Sequence, residues 1–369
     1  MADTLKERFF VQSFWDELGK NLQLILPGFD GKAFQKTVCN ADWERLELKQ
    51  RIRRVAVCLR PFLPEAYPAA VAKLVQLAQH RLDHPRTGHG FAFLFLADFI
   101  EEFGLDHLEA SIDAFPVITQ VMSCEFAVRP FIIRYPKEML AAMLTWAENP
   151  NVHIRRLASE GSRPRLPWGM ALQFLKKDPA PSIPILEKLK SDPEEYVRRS
   201  VANHLNDISK DHPDVAIKLA KAWIGQSKET DRLIKHALRG LLKAGNETAL
   251  GLFGFVTLKN VAIQGLRCQP SVAIGGDWEF SFELVVGGTA SQHLRLEFGI
   301  DYMKANGKAN RKIFQMREST FAPGTYAMAK RHSFLERTTR KHHIGLHAVA
   351  VLVNGVELGL AEFEVTGHI

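Results

Sequence analysis

The chain has 369 residues, 46% hydrophobic and 24% charged, which is the balance of a folded globular protein and excludes a wholly disordered one. Forty-eight Lys and Arg against 41 Asp and Glu give a formal charge of +7, favouring anionic partners, nucleic acid ahead of acidic lipid. The length suggests two domains, and the four cysteines (Cys39, Cys58, Cys124, Cys268), with no CxxC pair, read as reduced, buried thiols of a reducing compartment.

In chain order, Met1–Glu7 lacks the basic-then-apolar order of a secretory signal, so a cytoplasmic, nucleoid-associated protein is expected. Residues 1–38 form an amphipathic segment in which Phe9, Phe10, Phe14, Trp15 and Leu18 share a stripe. That stripe is read as a cap docked on the first helical repeats, since a membrane helix would carry more basic residues. From about 40 to 255 the apolar spacing is helical, in Val55–Leu63, Ala69–Leu82, Phe91–Phe103, Met139–Trp146, Met170–Leu175, Ile183–Leu189 and Ala216–Ile224, with breaks carrying Pro, Gly, Asn or Asp. The most apolar run, Gly90–Phe99, is about half the ~20 residues a membrane span needs, so no membrane partner is expected. His80-x3-His84, with His89 nearby, has ligand-like spacing, but no acidic or Cys partner stands at motif distance, and no metal is expected.

The densest chemistry lies between Asn149 and Trp168. Asn149-Pro150 reads as a helix start, and Ile154, Leu157 and Ala158 give an apolar face. At about 100° per residue Arg156, Glu160 and Arg163 share one narrow arc, so two guanidinium groups flank a carboxylate. Arg163-Pro164-Arg165-Leu166-Pro167-Trp168 then ends the helix. The pattern repeats: Pro150-x3-Ile154-Arg155-Arg156 returns 43 residues on as Pro193-x3-Val197-Arg198-Arg199, with a weaker echo at Ile234-Lys235-His236. A period near ~40 with a basic pair in the second helix is the signature of a HEAT-like α-α solenoid, whose stacked second helices would align their cations along one face. The alternative is that each arginine is merely solvated or pairs with the neighbouring repeat.

Near residue 256 the apolar period changes from helical to alternating. Trp278–Val286, Leu294–Tyr302, Lys312–Glu318, Tyr326–Phe334, Gly345–Val353 and Val356–Val365 alternate, Asn354-Gly355 signals a two-residue hairpin, and Asn306-Gly307 tips another. Six or seven strands are expected, forming a small all-β immunoglobulin-like sandwich over 256–369 after a helical domain over 1–255. The sandwich carries a basic cluster, Lys330, Arg331, His332, Arg337, Arg340, Lys341, His342 and His343, and Lys308, Arg311 and Lys312 add to it from the Lys304–Lys312 loop. Beside a basic helical array these loops are read as gripping the same polyanion.

The run Arg155–Trp168 and the run Ser123-Cys124-Glu125-Phe126-Ala127-Val128-Arg129-Pro130-Phe131 resemble the AlkC branch of the DNA alkylation repair glycosylases, which are built on HEAT-like repeats and related to the AlkD proteins. The resemblance covers about residues 1–255, and the sandwich is similar to an immunoglobulin-like extension that some AlkC members carry. It implies excision of cationic methylated bases, 3-methyladenine and 3-methylcytosine, from duplex DNA, with the lesion reached inside a bent duplex rather than fully flipped. On the same resemblance the acidic position of the Cys-Glu-Phe-Ala motif falls on Glu125, and the helix-end positions on Arg156, Glu160, Arg163 and Trp168.

Those residue types suit that chemistry. A base methylated on a ring nitrogen is cationic and leaves without protonation, so the protein must stabilise positive charge on the sugar and position a water. A carboxylate near C1′ can do both. Glu125 is the first candidate and Glu160 the second. On spacing alone Glu125 could instead pair with Arg129 at i+4, and Glu160 with Arg156 or Arg163. Trp168 is read as a ring protruding toward the deoxyribose, although a tryptophan in the core is the plainer alternative. Phosphate contacts are expected from Arg155, Arg156, Arg163, Arg165, Arg198, Arg199, Lys235, Lys308, Arg311, Arg337, Arg340 and Lys341.

No catalytic lysine stands in either motif, so a monofunctional hydrolytic glycosylase without cofactor is expected. No Walker A, GxGxxG or nucleophile elbow is present. Cys124 beside Glu125 has no nearby His and reads as a buried thiol. Two competing readings remain, a non-catalytic HEAT-repeat binder of damaged or structured nucleic acid and a protein-interaction scaffold. Paired carboxylates would serve neither well. No obligate protein partner is expected.

Overall fold

A computed structural model describes residues 5–85, 90–336 and 341–368. The chain forms two compact units, residues 1–216 with 222–237, and residues 217–221 with 238–369. Among the described residues the helices are α1 (Leu5–Phe9), α2 (Gln12–Ile25), α3 (Gly31–Val38), α4 (Leu48–Leu59), α5 (Tyr67–Asp83), α6 (Leu94–Phe103), α7 (Leu108–Val121), α8 (Val128–Arg134) and α9 (Pro136–Trp146). They continue as α10 (Val152–Gly161), α11 (Gln173–Lys177), α12 (Ile183–Leu189), α13 (Glu195–Ile208), α14 (Pro213–Trp223), α15 (Lys228–Ala237), α16 (Arg239–Lys243) and α17 (Glu247–Leu252). No helix among the described residues is long and apolar enough to cross a membrane.

In the first unit the helices stack as a solenoid. Packing runs from α5 to α7, α7 to α10, α10 to α13 and α13 to α15, so equivalent helices of successive repeats form one layer. Their apolar stripes are the seam: Leu157 and Ala158 on α10, Val197, Val201 and Leu205 on α13, and Ile234 and Ala237 on α15 are buried. The amphipathic start behaves likewise, with Phe14, Trp15 and Leu18 buried and Phe14 edge-on to Phe93 at 5.6 Å. Two local expectations change. The α10 cap is Asn151, whose side chain accepts from His153 N at 2.9 Å, rather than Asn149-Pro150. Met170 lies outside any helix, in a loop that Leu172 N closes on Pro164 O at 3.1 Å before α11 begins at Gln173.

The second unit is a sandwich of eight strands: β1 (Val261–Cys268), β2 (Ser271–Ile274), β3 (Asp277–Val286), β4 (Gln292–Met303), β5 (Ala309–Phe321), β6 (Gly324–Ser333), β7 (Gly345–Val353) and β8 (Val356–His368). One sheet has the order β1-β3-β6 and the other β2-β8-β7-β4-β5. Trp278, Phe280, Phe298, Phe334 and Phe363 fill the space between them, with the Trp278 and Phe363 rings 4.0 Å apart. The β7–β8 turn has φ of 46° at Asn354 and 78° at Gly355, the conformation the Asn-Gly pair signals. Two strands lie outside the segments expected from alternation. β1 is bulged between Gln264 and Arg267 and half-exposed, and β2 is four residues paired in parallel with β8. The helix-to-strand change falls near 256, but the compact unit begins at 238, because α16 and α17 belong with the sandwich. Gly245 packs backbone to backbone against Gly355, where a Cβ on Gly355 would meet the Gly245 Cα at 2.5 Å.

Candidate active site

The α7–α8 turn, the end of α10 and the start-to-middle of α13 converge on one chain of alternating charges in the first unit. Glu125 sits in the turn before α8, half-buried. Arg156 on α10 donates to its Oε2 at 2.7 Å, and Ser123 Oγ donates to the same oxygen at 2.9 Å. Oε1 of Glu125 accepts no hydrogen bond among the described residues, so it remains open to a sugar or a water. The i,i+4 pair with Arg129 does not form. Arg129 instead donates to Gly161 O at 2.9 Å and Met170 O at 2.5 Å, tying the end of α10 to the loop that carries Trp168.

Glu160 differs from Glu125 in having both oxygens engaged. Its Oε1 takes Arg163 at 2.6 Å, with Arg156 at 3.8 Å, and its Oε2 takes the Ser200 hydroxyl at 2.6 Å. Arg163 extends the chain to Asp207 on α13 at 2.8 Å, and Asp207 meets Lys210 at 3.2 Å. Burial opposes the charges of Arg156 and Arg163, but the carboxylates flanking each outweigh it and hold both pKa values above the ordinary one. Arg129 has no carboxylate partner. Burial and then the like charge of Arg163 lower its pKa to about 10.

Trp168 protrudes. It is 79% exposed, with a left-handed backbone (φ 64°) that a non-glycine residue adopts at a cost of about 1 kcal/mol. Lys49 on α4 holds it there, donating to Trp168 O at 2.7 Å while its ammonium lies 4.8 Å from the Phe126 ring. The indole is therefore presented to solvent by design of the loop rather than packed in the core. Tyr196 on α13 adds a second half-exposed ring, 4.8 Å from the Arg156 guanidinium.

The expected phosphate contacts divide. Arg199 and Lys308 are exposed, Lys341 is exposed, and Lys235 is half-buried. Arg155 and Arg198 instead staple their own loops: each donates to two carbonyls just upstream, Asn149 and Pro150 for Arg155, Asp192 and Pro193 for Arg198. Arg155 also grips Asp192 of the next repeat at 2.6 Å. Arg163 is buried between Glu160 and Asp207, so it cannot reach a phosphate without breaking both pairs. Arg165 is bound to Asp211 through two nitrogens, and Arg311 to Asp301 and Glu357. Arg337 and Arg340 lie outside the described residues, as does His89. Cys124 is fully buried with its thiol pKa pushed up by burial, which suits packing and not attack, whereas the other three cysteines are half-buried.

Sequence reasoning missed Lys49, Tyr196, Ser200 and Asp207. Ser200 and Asp207 each stand about one repeat beyond their partners, as the 40 residues between Ser200 and Glu160 and the 44 between Asp207 and Arg163 show. Reading one period ahead of each candidate would have found them. Lys49 lies 119 residues from Trp168 and carried no such signal.

Comparison with known proteins shows what the chain as a whole resembles. The family model of the C-terminal Ig-like domain of the uncharacterised protein YhaZ matches residues 262–367. The YhaZ protein of Bacillus subtilis (strain 168) is 42% identical over 367 residues, 99% of this chain and 100% of that protein. The structure of a Pseudomonas fluorescens alkylpurine DNA glycosylase, AlkC, bound to DNA containing an abasic site analog, superposes with a TM-score of 0.89 at 38% identity, covering 95% of this chain and 97% of that one.

Proposed function

The chain belongs to the AlkC family, and from that membership and the site geometry we propose that it is a monofunctional DNA glycosylase that hydrolyses the N-glycosidic bond of cationic alkylated bases, 3-methyladenine and 3-methylcytosine, in duplex DNA. The observation that carries the reading is the open Oε1 of Glu125, backed by a carboxylate and arginine chain, in a unit that also presents an exposed Trp168.

A base carrying a methyl group on ring nitrogen is already a good leaving group, so the barrier lies in the positive charge that grows on the sugar. At ~4 Å and an effective dielectric of about 20, one carboxylate lowers the energy of that developing charge by about 4 kcal/mol, roughly a thousandfold in rate. Glu125 supplies it. Arg156 and Ser123 fix one of its oxygens and so aim the other, which can also accept the proton of the attacking water. Glu160, with both oxygens bonded, acts as a positioning residue: it holds Arg156 from behind. Trp168 offers a flat apolar face to the deoxyribose while the duplex bends, and full base flipping is not required. Neither motif contains a lysine, and Lys49 is engaged by the Trp168 carbonyl rather than offered as an amine nucleophile, so the expected product is an abasic site.

Incubation of the protein with duplex DNA containing either methylated base, followed by chromatography of the small-molecule fraction, tests the reading. It predicts free 3-methyladenine and 3-methylcytosine and an intact abasic strand. Binding without release of any base would support a non-catalytic binder instead, and accumulation of nicked strand would contradict the monofunctional mechanism.

A further inference from the structure

Between α4, α6, the Ser123–Ala127 turn and the Trp168–Met170 loop lies a cavity of about 630 Å³ that the reaction as described does not use. It is of the size class that encloses small ligands. Ser123, Phe126 and Trp168 are among its lining residues, so it adjoins the residue whose hydroxyl bonds Glu125. It is also lined by the aliphatic side chains of Val57, Leu94 and Ala97, by the carboxylates of Asp98 and Glu101 and by the cations Lys49, Arg53 and Arg54. Aromatic rings, aliphatic side chains and a carboxylate oxygen not taken by Arg53 describe a receptor for a flat heterocycle that carries a donor.

We propose that this cavity receives the excised base, a methylated nucleobase carrying an exocyclic amine, after the glycosidic bond breaks; the inference rests on the glycosylase reading above. The cavity adjoins the reacting carboxylate, so a severed base has only to slide past Trp168 and Phe126, whose rings offer stacking faces. Arg53 bonds both oxygens of Asp98 but only Oε1 of Glu101, which leaves Glu101 Oε2 to accept a hydrogen bond. Adenine and cytosine present an amino donor at that edge, whereas a base with a carbonyl there would set oxygen against oxygen. The cavity thus favours the two amine-bearing bases by the same contact, once each has been severed from its sugar.

Calorimetric titration of the full chain with free 3-methyladenine, without DNA, tests the site. The expected result is saturable binding, at least tenfold weaker for 3-methylhypoxanthine, which carries a carbonyl in place of the amine, and at least tenfold weaker for Val57→Trp. Val57 is 43% exposed and lines the cavity, so an indole there fills it without repacking the core. No binding of 3-methyladenine to the wild type, equal binding of 3-methylhypoxanthine, or undiminished binding by Val57→Trp would each overturn the proposal. Base release from methylated duplex by the wild type, measured alongside, separates the two readings. Release without free-base binding removes the receiving site and leaves the glycosylase standing, and binding without release overturns both.

Discussion

At the scale of single residues, what separates the two candidate carboxylates is how many of their oxygens are already taken. Both Glu125 and Glu160 are legible in the sequence as acids amid arginines, but their difference is not, because it depends on Ser200, which reaches Glu160 from the next repeat. His204 gives a second residue-scale consequence. It is fully buried, its Nδ1 faces Ser159 O at 3.1 Å, and burial together with the nearby Arg163 and Arg129 charges lowers its pKa from 6.5 to about 3. The unfolded chain therefore binds a proton near pH 6.5 that the folded one refuses until about pH 3. The neutral ring's contribution is complete above pH 6.5 and falls away below it, by about 1.4 kcal/mol per pH unit at most. Denaturant unfolding across pH 4–7 should show that slope in the wild type and a shallower one in His204→Gln. Equal slopes would mean the ring is not buried as a neutral group.

At the scale of elements, the repeat was legible and its use was half legible. Spacing placed Arg155 and Arg198 one period apart, and they do occupy equivalent positions, yet both serve the loops that start their helices. Sequence alone cannot tell a solvent-facing cation from one folded back onto carbonyls five and six residues upstream, because both have the same neighbours in the chain. Arg155→Ala leaves Asp192 buried without its partner, so a loss of about 2 kcal/mol or more in thermal unfolding is expected, with the salt dependence of DNA binding unchanged. Arg199→Ala should behave oppositely, with near-normal stability and a salt slope reduced by about one, since Arg199 is exposed and only loosely paired with Glu195 at 3.5 Å. A smaller slope for Arg155→Ala would restore it to the phosphate contacts. The strands show the same limit. Alternation is clean in β3, while β4 and β7 are buried on both faces over most of their length; β1 and β2 were invisible because a bulge breaks the period in one and four residues are too few to show it in the other.

At the scale of the whole molecule, excess positive charge is a fair guide to the partner and a poor guide to where it binds. Within the sandwich's basic cluster, His332 donates to or accepts from the Tyr302 hydroxyl at 2.7 Å, His342 is buried, and Arg331 pairs with Asp277 at 2.6 Å. The β4–β5 loop is different: Lys304 and Lys308 are exposed around a turn closed by Lys304 N and Lys308 O at 3.0 Å. If this loop holds a polyanion, Lys304→Ala with Lys308→Ala should lower the slope of log K against log salt by about two and weaken binding to all sequences alike. An unaltered slope would show that the loop touches no phosphate. The change from helix to strand near 256 was plain in the sequence, but the assignment of α16 and α17 to the sandwich was not, because it rests on the Gly245–Gly355 approach, which no periodicity reports.

The most direct test of the account is single-turnover release of 3-methyladenine from duplex DNA by the wild type and by Glu125→Gln, with DNA affinity measured on both. Loss of the carboxylate charge at the open oxygen should slow release by about a hundredfold to a thousandfold while binding persists. Release by Glu125→Gln at the wild-type rate would contradict the claim that this side chain stabilises the sugar cation.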